Sequence, residues 1–229
     1  MLYLIVFTLI VAIITPSIWV NITIRKYSRE IPDLPGTGAE FAEHLIQRFA
    51  LSDVKVERCE PHQDHYSPQE KIIRLSPAIY DGRSISAVTI AAHETGHAIQ
   101  YHFNEPITKL REKYTPLAQM IEKISLSFIG LSPVLIAIFK LPHIGFLSIG
   151  AGLVALLISV LLQLIILPME WDASFNKALP IIDKGNYLNT KQLPAAKKIL
   201  RAAAMTYVAA TLSSLLRIGR WLAIFRGIR

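Results

Sequence analysis

The stretch "ISAVTIAAHETGHAIQYHF", residues 85–103, decides the fold because it predicts one helix that carries the pattern His-Glu-x-x-His. His93 and His97 are four residues apart, so a helix places both imidazoles on one face. The small and apolar residues before His93 are typical of a helix that packs inside a domain. Gly96, without a side chain, would let a neighbouring element approach closely. We therefore expect a buried helix with a second element packed against Gly96.

The two histidines predict a metal site. Two neutral imidazoles at this spacing can bind one Zn²⁺, while Glu94 is rotated off their face and is placed to take a proton from water. The five-residue pattern also arises by chance, so the prediction depends on whether a third ligand exists.

A catalytic zinc has three protein ligands and one open position. The extended pattern with a third histidine six residues after His97 fails, because Phe103 stands there. Glu170 is the better candidate, since a glutamate at the end of an apolar run is costly unless it has a partner. Asp172 is the rival ligand, or it hydrogen-bonds a ligand histidine. The alternative for Glu170 is a charge that favours a helix N-terminus.

Apolar blocks predict an integral membrane protein. Hydrophobic residues make up 52% of the 229, and no charge interrupts residues 1–24, 124–139 or 141–169. About 20 apolar residues in a helix cross a bilayer. We therefore expect an N-terminal transmembrane helix over 1–24, retained because no basic residue precedes it, and a transmembrane hairpin over 123–168.

The remaining segments predict the fold class, a mostly α integral membrane protein with a gluzincin-like HExxH domain and a small β-hairpin or sheet. A catalytic region spans 25–122, with strands at "VKVERCE" (54–60) and "KIIRLS" (71–76), a turn-rich loop between them, and a polar connector after the motif helix. A separate third-ligand helix and connector span 169–192. A C-terminal helix over 193–229, with Thr206, Ser213, Arg217 and Arg220 on one stripe, lies on or packs within the membrane.

The loop "DHYSPQE", residues 64–70, holds polar residues capable of chemistry. Asp64, His65 and Tyr66 are either turn formers or, for His65 or Tyr66, hydrogen-bond donors to the developing oxyanion. The strand "KIIRLS" could expose an edge that pairs with an extended peptide substrate.

Charge favours a bilayer over a nucleic acid. The formal net charge is +7, but the basic residues lie largely at the ends of apolar runs. That is the membrane pattern, which predicts a cytoplasmic catalytic site and an N-terminus outside. Cys59 is the one cysteine, so an internal disulfide is excluded.

Four segments carry a family resemblance: "GTGAEFAEHLI", "DHYSPQEKIIRLSPAIYDGRSISAVTIAAHETGHAIQ", "LPMEWDAS" and "AAAMTYVAATL". In this order they closely resemble the YugP-type neutral zinc metallopeptidases of bacterial membranes, and the arrangement is similar to that of HtpX-like and CAAX prenyl proteases. The resemblance implies a multi-pass, zinc-dependent endopeptidase of the inner membrane that acts on polypeptides. It also implies that His93, His97 and Glu170 are ligands and that Glu94 is the general base.

The chain departs from the family pattern after Ser174. Phe175 and Asn176 stand where the family usually has two arginines, and Lys177 is the nearest basic residue. The departure does not touch the ligands, so it bears only on any arginine-based contact to the substrate or to a ligand.

Two functions compete on the sequence alone. The first is a peptidase with one catalytic Zn²⁺. The second is a non-catalytic membrane binding or assembly protein that retains the metal. A structural zinc normally closes all four positions with Cys or His, and a single Cys59 far from the motif favours the open, catalytic site. The bilayer is one partner, and the sequence leaves open a membrane-protein partner or a second copy of the chain.

Overall fold

The structure, a computed structural model, describes residues 2–206 and residue 209. Among them the chain forms two compact units: the first is Trp19–Thr108 with Pro168–Met205, and the second contains Lys109–Leu167 and the described residues before Trp19. The helices are α1 Leu2–Lys26, α2 Gly38–Arg48, α3 Pro77–Tyr80, α4 Ile85–His102, α5 Thr108–Phe139, α6 Pro142–Trp171, α7 Leu179–Lys184 and α8 Leu193–Ala204; the strands are β1 Lys55–Arg58, β2 His65–Ser67 and β3 Ile72–Leu75; a π-helix, Asp172–Ala178, joins α6 to α7.

Helix α4 is the core of the first unit, as its sequence predicts. The Ser84 hydroxyl caps it by accepting from the backbone N–H of Ala87 at 3.1 Å. Every residue from Ser86 to Gln100 is buried. The helix is surrounded by α2, α3, α7, α8, the π-helix and the sheet, so its polar motif residues lie inside the unit.

The close approach at Gly96 is also confirmed. A Cβ at this position would lie 2.8 Å from the carbonyl oxygen of Ala173 in the π-helix and 3.3 Å from the Cβ of Lys177. The missing side chain therefore lets the π-helix lie directly on the turn of α4 between His93 and His97.

The sheet differs from the predicted pair of strands. Its order is β1-β3-β2, with β1 parallel to β3 and β2 antiparallel to β3. The segment 64–70 was expected to be a loop, but it contains β2, and this strand reverses the chain so that β1 and β3 run parallel. Since β3 is paired on both sides, the prediction that "KIIRLS" exposes an edge is wrong. The outer strands are β1 and β2.

Apolar side chains from the sheet and helices close the core around α4. Each large aliphatic side chain that is fully buried contributes about 1.5–3 kcal/mol to stability. The largest of these side chains in this unit are Leu45, Leu51, Ile73, Leu75, Met169, Ile182, Ile199 and Leu200.

The second unit contains the helical hairpin α5–α6. Two helices, Thr108–Phe139 and Pro142–Lys184, are long and apolar enough to cross a membrane. The serine hydroxyls bind backbone carbonyls of the facing helix, from Ser125 to Gly152 at 2.6 Å and from Ser159 to Ala118 at 2.9 Å. Such hydroxyl bonds and small residues are typical of helices packed in a bilayer.

Two predicted boundaries are wrong. Helix α5 begins at Thr108, so most of the expected polar connector is helical. No new helix opens at residue 169, because α6 continues through Pro168 to Trp171 and runs on into the π-helix. Glu170 therefore lies inside a continuous helix, which removes the helix N-terminus as an explanation for its charge.

The predicted C-terminal helix is described only in part. Helix α8 covers Leu193–Ala204 and has a buried face. Ser213, Arg217 and Arg220 of the expected stripe lie outside the described residues, as does most of the chain beyond Thr206.

Candidate metal centre

Three buried side chains converge at the centre of the first unit. The Nε2 atom of His97 lies 3.1 Å from Oε2 of Glu170, and the Nε2 atom of His93 lies 3.4 Å from the same oxygen. The exposed fractions are 3% for His93, 2% for His97 and 1% for Glu170. The donor atoms of these three residues all lie within 4.8 Å of one another.

Two helices position the three donors. Helix α4 presents the two imidazoles one turn apart, with ring centroids 4.7 Å from each other. The last turn of α6 presents Glu170, whose neighbour Met169 is fully buried. The buried middle of α4 and the last turn of α6 therefore position all three side chains.

Each histidine gives its Nδ1 proton to a fixed acceptor. The Nδ1 atom of His93 is 3.1 Å from Oγ of Ser174, whose own proton is donated to the carbonyl oxygen of Leu200. The Nδ1 atom of His97 donates to Oε1 of Gln100 at 2.9 Å. Both neutral rings therefore carry the lone pair on Nε2, which is the atom that faces Glu170 and the one a metal needs.

The distances fit a zinc ion. Zinc binds histidine nitrogen and carboxylate oxygen at about 2.0–2.2 Å, and tetrahedral geometry then separates ligand atoms by about 3.3–3.6 Å. The observed 3.1 and 3.4 Å are close to that separation. The second oxygen of Glu170, Oε1, is buried without a hydrogen-bond partner. A buried carboxylate that faces two nitrogen lone pairs needs a cation, so the residues present fit the metal.

The described residues bring Glu170, not Asp172, into this group of donors. The Asp172 carboxylate instead accepts from Nε2 of Gln100 at 2.8 Å, from Nδ2 of Asn176 at 2.7 Å and from Nζ of Lys177 at 3.1 Å. It is joined to His97 through Gln100, whereas the sequence suggested a direct bond to a histidine.

Comparison with known proteins identifies the family of the chain. The family model described as "Putative neutral zinc metallopeptidase" matches residues 2–226. The chain belongs to this family. The "Putative membrane protease YugP" of Bacillus subtilis (strain 168) is 36% identical over 223 residues, which cover 95% of each chain. No solved structure matches the chain significantly.

In this member of the zinc metallopeptidase family, Glu94 is buried within α4, with an exposed fraction of 6%. It stands directly after His93, so it is carried by the same turn of helix as the first histidine. The pKa of the Cys59 thiol is raised to about 11. Burial is the main cause, followed by the charge of Asp64, and the charge of Glu94 adds to the effect. Cys59 thus stays protonated at neutral pH, which disfavours it as a ligand.

The structure places His65 on β2, where Nδ1 donates to the carbonyl oxygen of Gln63 at 2.6 Å. The neutral ring therefore carries a lone pair on Nε2, so His65 could donate to an oxyanion only as the imidazolium. It lines an open groove of roughly 640 Å³ together with Cys59, Gln63 and Arg74 among others.

Tyr66, the alternative donor, lies under the sheet rather than in the groove lining. Its exposed fraction is 3%, and its ring centroid is 5.8 Å from that of Tyr101. Burial raises the pKa of Tyr66 to about 12.

Sequence reasoning missed two residues that hold the histidines, Gln100 and Ser174. Gln100 lies three residues after His97, a spacing that places both on one helix face, so the signal was present. Ser174 is four residues after Glu170, but its contact to His93 depends on the π-helix, which no spacing indicated. Asn176, in one of the two positions that depart from the family pattern, donates to Asp172.

Proposed function

We propose that the protein is a membrane-anchored zinc metalloendopeptidase that hydrolyses peptide bonds. The observation that carries the proposal is the buried group of His93, His97 and Glu170, which supplies three protein ligands. Three ligands, rather than four, are the number that a catalytic zinc has. When bound, zinc supplies Lewis-acid activation of water and of the scissile carbonyl.

The protein residues would transfer the proton and hold the ligands. Glu94 takes a proton from the attacking water as its oxygen bonds to the carbonyl carbon. The peptide C–N bond then breaks, and Glu94 returns the proton to the leaving amine. Ser174 and Gln100 hold the histidine Nδ1 protons, so His93 and His97 would bind the metal through Nε2. His65, which lines the groove on β2, is the candidate donor to the oxyanion.

The substrate is a polypeptide, and β2 is the strand best placed to receive it. Among the described residues β2 is an outer strand of the sheet, and it contacts α4. An extended peptide that pairs with this outer strand would lie alongside the motif helix, with main-chain hydrogen bonds giving affinity.

The bilayer holds the enzyme in place. We infer a multi-pass protein anchored by residues 1–24 and the hairpin α5–α6, with the site on the cytoplasmic side. The support is the apolar length of α5 and α6 and the basic residues that flank the apolar runs.

The deciding experiment compares the Glu94→Gln variant with the unmodified chain, both full-length in detergent and loaded with zinc. We expect casein hydrolysis to fall by about 10²–10⁴-fold, the usual contribution of a general base, while zinc content stays unchanged. Glu43→Gln, at an exposed position on α2, is the matched control and should retain activity.

Persistent hydrolysis by Glu94→Gln at full zinc occupancy would contradict the proposed mechanism. A zinc-loaded unmodified protein that cleaves no peptide would instead favour a non-catalytic membrane binding or assembly protein.

A further inference from the structure

The side chain of Gln100 uses all of its hydrogen-bonding groups at the metal centre. It is fully buried, with an exposed fraction of 0%. Its Oε1 accepts from Nδ1 of His97 at 2.9 Å, and its Nε2 donates to the carbonyl oxygen of Met169 at 3.1 Å and to Oδ2 of Asp172 at 2.8 Å. The two N–H groups and the oxygen of the amide are thus all engaged.

These partners allow one orientation of the amide. The Met169 carbonyl and the Asp172 carboxylate can only accept, so Nε2 must face them and Oε1 must face His97. An amide turned over would place its oxygen against two acceptors and leave them unsatisfied in the interior. Because Oε1 can only accept, Nδ1 of His97 must carry the proton and Nε2 must carry the lone pair.

The same side chain holds two ligands. It sets the ring of His97 on α4, and it ties down the backbone of Met169, the residue before Glu170 on α6. Gln100 therefore fixes where a nitrogen ligand and an oxygen ligand lie relative to one another.

A closed network holds Gln100 in turn. Lys177 bridges the carboxylates of Asp172, at 3.1 Å, and Glu105, at 2.9 Å. The backbone N–H of Glu105 donates to the carbonyl oxygen of Gln100 at 2.9 Å. The side chain and the backbone of Gln100 are thus joined through three charged residues, Asp172 and Lys177 on the π-helix and Glu105 in the loop after α4.

We infer that Gln100 is a positioning residue for the metal, which fixes the tautomer of His97 and the place of Glu170 through its bonds to Met169 and Asp172. The inference rests on the proposed metal site and goes beyond it by assigning a role to a neutral, non-ligating side chain. The alternative is that Gln100 only fills space in the core.

The test is the Gln100→Met variant, which keeps the length of the side chain and removes its hydrogen bonds. The full-length protein in detergent is titrated with zinc against a chelator. Loss of a side chain that orients a ligand typically weakens metal affinity 10–100-fold, and we expect a loss in that range. Gln47→Met, at an exposed position on α2, should bind zinc as the unmodified chain does. The visible absorption of bound Co²⁺ gives a second readout, and its tetrahedral bands should weaken or shift only in Gln100→Met.

An exchange of partners separates orientation from packing. Gln100→Glu places a carboxylate against Asp172, and adding Asp172→Asn supplies an amide donor in its place without changing the net charge relative to the unmodified chain. We expect the double variant to bind zinc at least several-fold more tightly than Gln100→Glu alone.

Zinc affinity of Gln100→Met within twofold of the unmodified chain would overturn the inference. If Gln100→Met does not fold, the second comparison decides. The inference is then overturned if Gln100→Glu with Asp172→Asn binds zinc no more tightly than Gln100→Glu alone. These ratios of affinity do not depend on hydrolysis, so they remain decisive even if the proposed peptidase activity is absent.

Discussion

At the scale of single residues, the candidate metal centre contains a buried carboxylate, Glu170, whose burial must be compensated. Glu170 sits in the interior with one oxygen near both histidine Nε2 atoms and the other without a hydrogen-bond partner. An uncompensated buried carboxylate costs several kcal/mol. A cation at this position would compensate the charge, so we expect the proposed zinc to stabilise this unit against unfolding.

Replacing each acid of the site in turn separates ligand from support. Glu170→Gln removes the negative ligand, so we expect zinc binding to be lost or to weaken more than 100-fold. Asp172→Asn leaves the three ligands in place and disturbs only the support through Gln100, so we expect a loss of roughly tenfold, at the lower end of such effects. Zinc titration against a chelator measures both. A larger loss for Asp172→Asn than for Glu170→Gln would make Asp172 the ligand.

The raised pKa of the buried Tyr66 hydroxyl predicts that the folded chain loses stability at alkaline pH. Burial raises the pKa of its hydroxyl to about 12 in the folded chain, while an unfolded tyrosine loses its proton near pH 10. The folded state therefore favours the protonated form, and this contribution is fully present below pH 10 and is lost as the pH rises from about 10 to about 12.

Thermal unfolding measured from pH 9 to pH 12 tests this expectation. Tyr66→Phe has no proton to lose, so its melting temperature should fall less steeply over that range than that of the unmodified chain. Tyr114→Phe, at a partly exposed position on α5, is the control and should follow the unmodified chain. Equal slopes for all three proteins would remove Tyr66 as the cause.

At the scale of elements, the close contact at Gly96 sets the distance between α4 and the π-helix. Gly96→Ala would place a Cβ 2.8 Å from the backbone oxygen of Ala173, and the backbone cannot rotate away as a flexible side chain could. Overpacking of this kind costs about 1–3 kcal/mol. We expect a lower melting temperature and weaker zinc binding, because the displaced π-helix carries Ser174 and Asp172.

Gly150→Ala is the matched control for that substitution. It is a helical glycine at which an added Cβ would meet nothing within 4 Å, and alanine favours a helix by up to about 1 kcal/mol over glycine. Its melting temperature should therefore stay equal or rise. A Gly96→Ala protein as stable as this control, with unchanged zinc affinity, would show that the π-helix can move aside freely.

The elements also show where sequence reasoning succeeds and where it stops. The motif helix and Gly96 could be predicted, because a buried helix needs small and apolar residues in a local, repeating pattern. The π-helix could not, since its 7 residues are too few to show a periodicity distinct from that of an α-helix. Strand β2 has three residues among turn formers, and its pairing is decided by β3 rather than by its own sequence.

Pro168 explains the other error. The sequence predicted a new helix where the apolar run ends, and a proline inside a helix usually ends or kinks it because it removes one backbone hydrogen bond. The chain instead stays helical from Pro142 to Trp171. Glu170 was still identified as a ligand candidate, because the argument for it depended on the cost of a charge beside an apolar run and not on the helix boundary.

At the scale of the whole molecule, the site is assembled from two separate lengths of chain, Trp19–Thr108 and Pro168–Met205, which form one unit. The first supplies His93 and His97, and the second supplies Glu170. The chain between them includes the apolar helices α5 and α6. If these helices cross a bilayer, they must cross it as a pair, since an even number of crossings is needed to return Glu170 to the side that holds the histidines.

This requirement gives a topology prediction that reporter fusions can test. Reporters placed after Arg29 and after Lys184 should both read cytoplasmic, because basic residues cluster beside those span ends. A reporter after Lys140, in the turn between α5 and α6, should read as exported. The three positions together separate three kinds of error. Reversed readings at all three positions would overturn only the predicted orientation. Cytoplasmic readings at all three positions would mean that α5 and α6 do not cross the membrane. Opposite readings at Arg29 and Lys184 would contradict the shared metal site itself, since its ligands could not then meet.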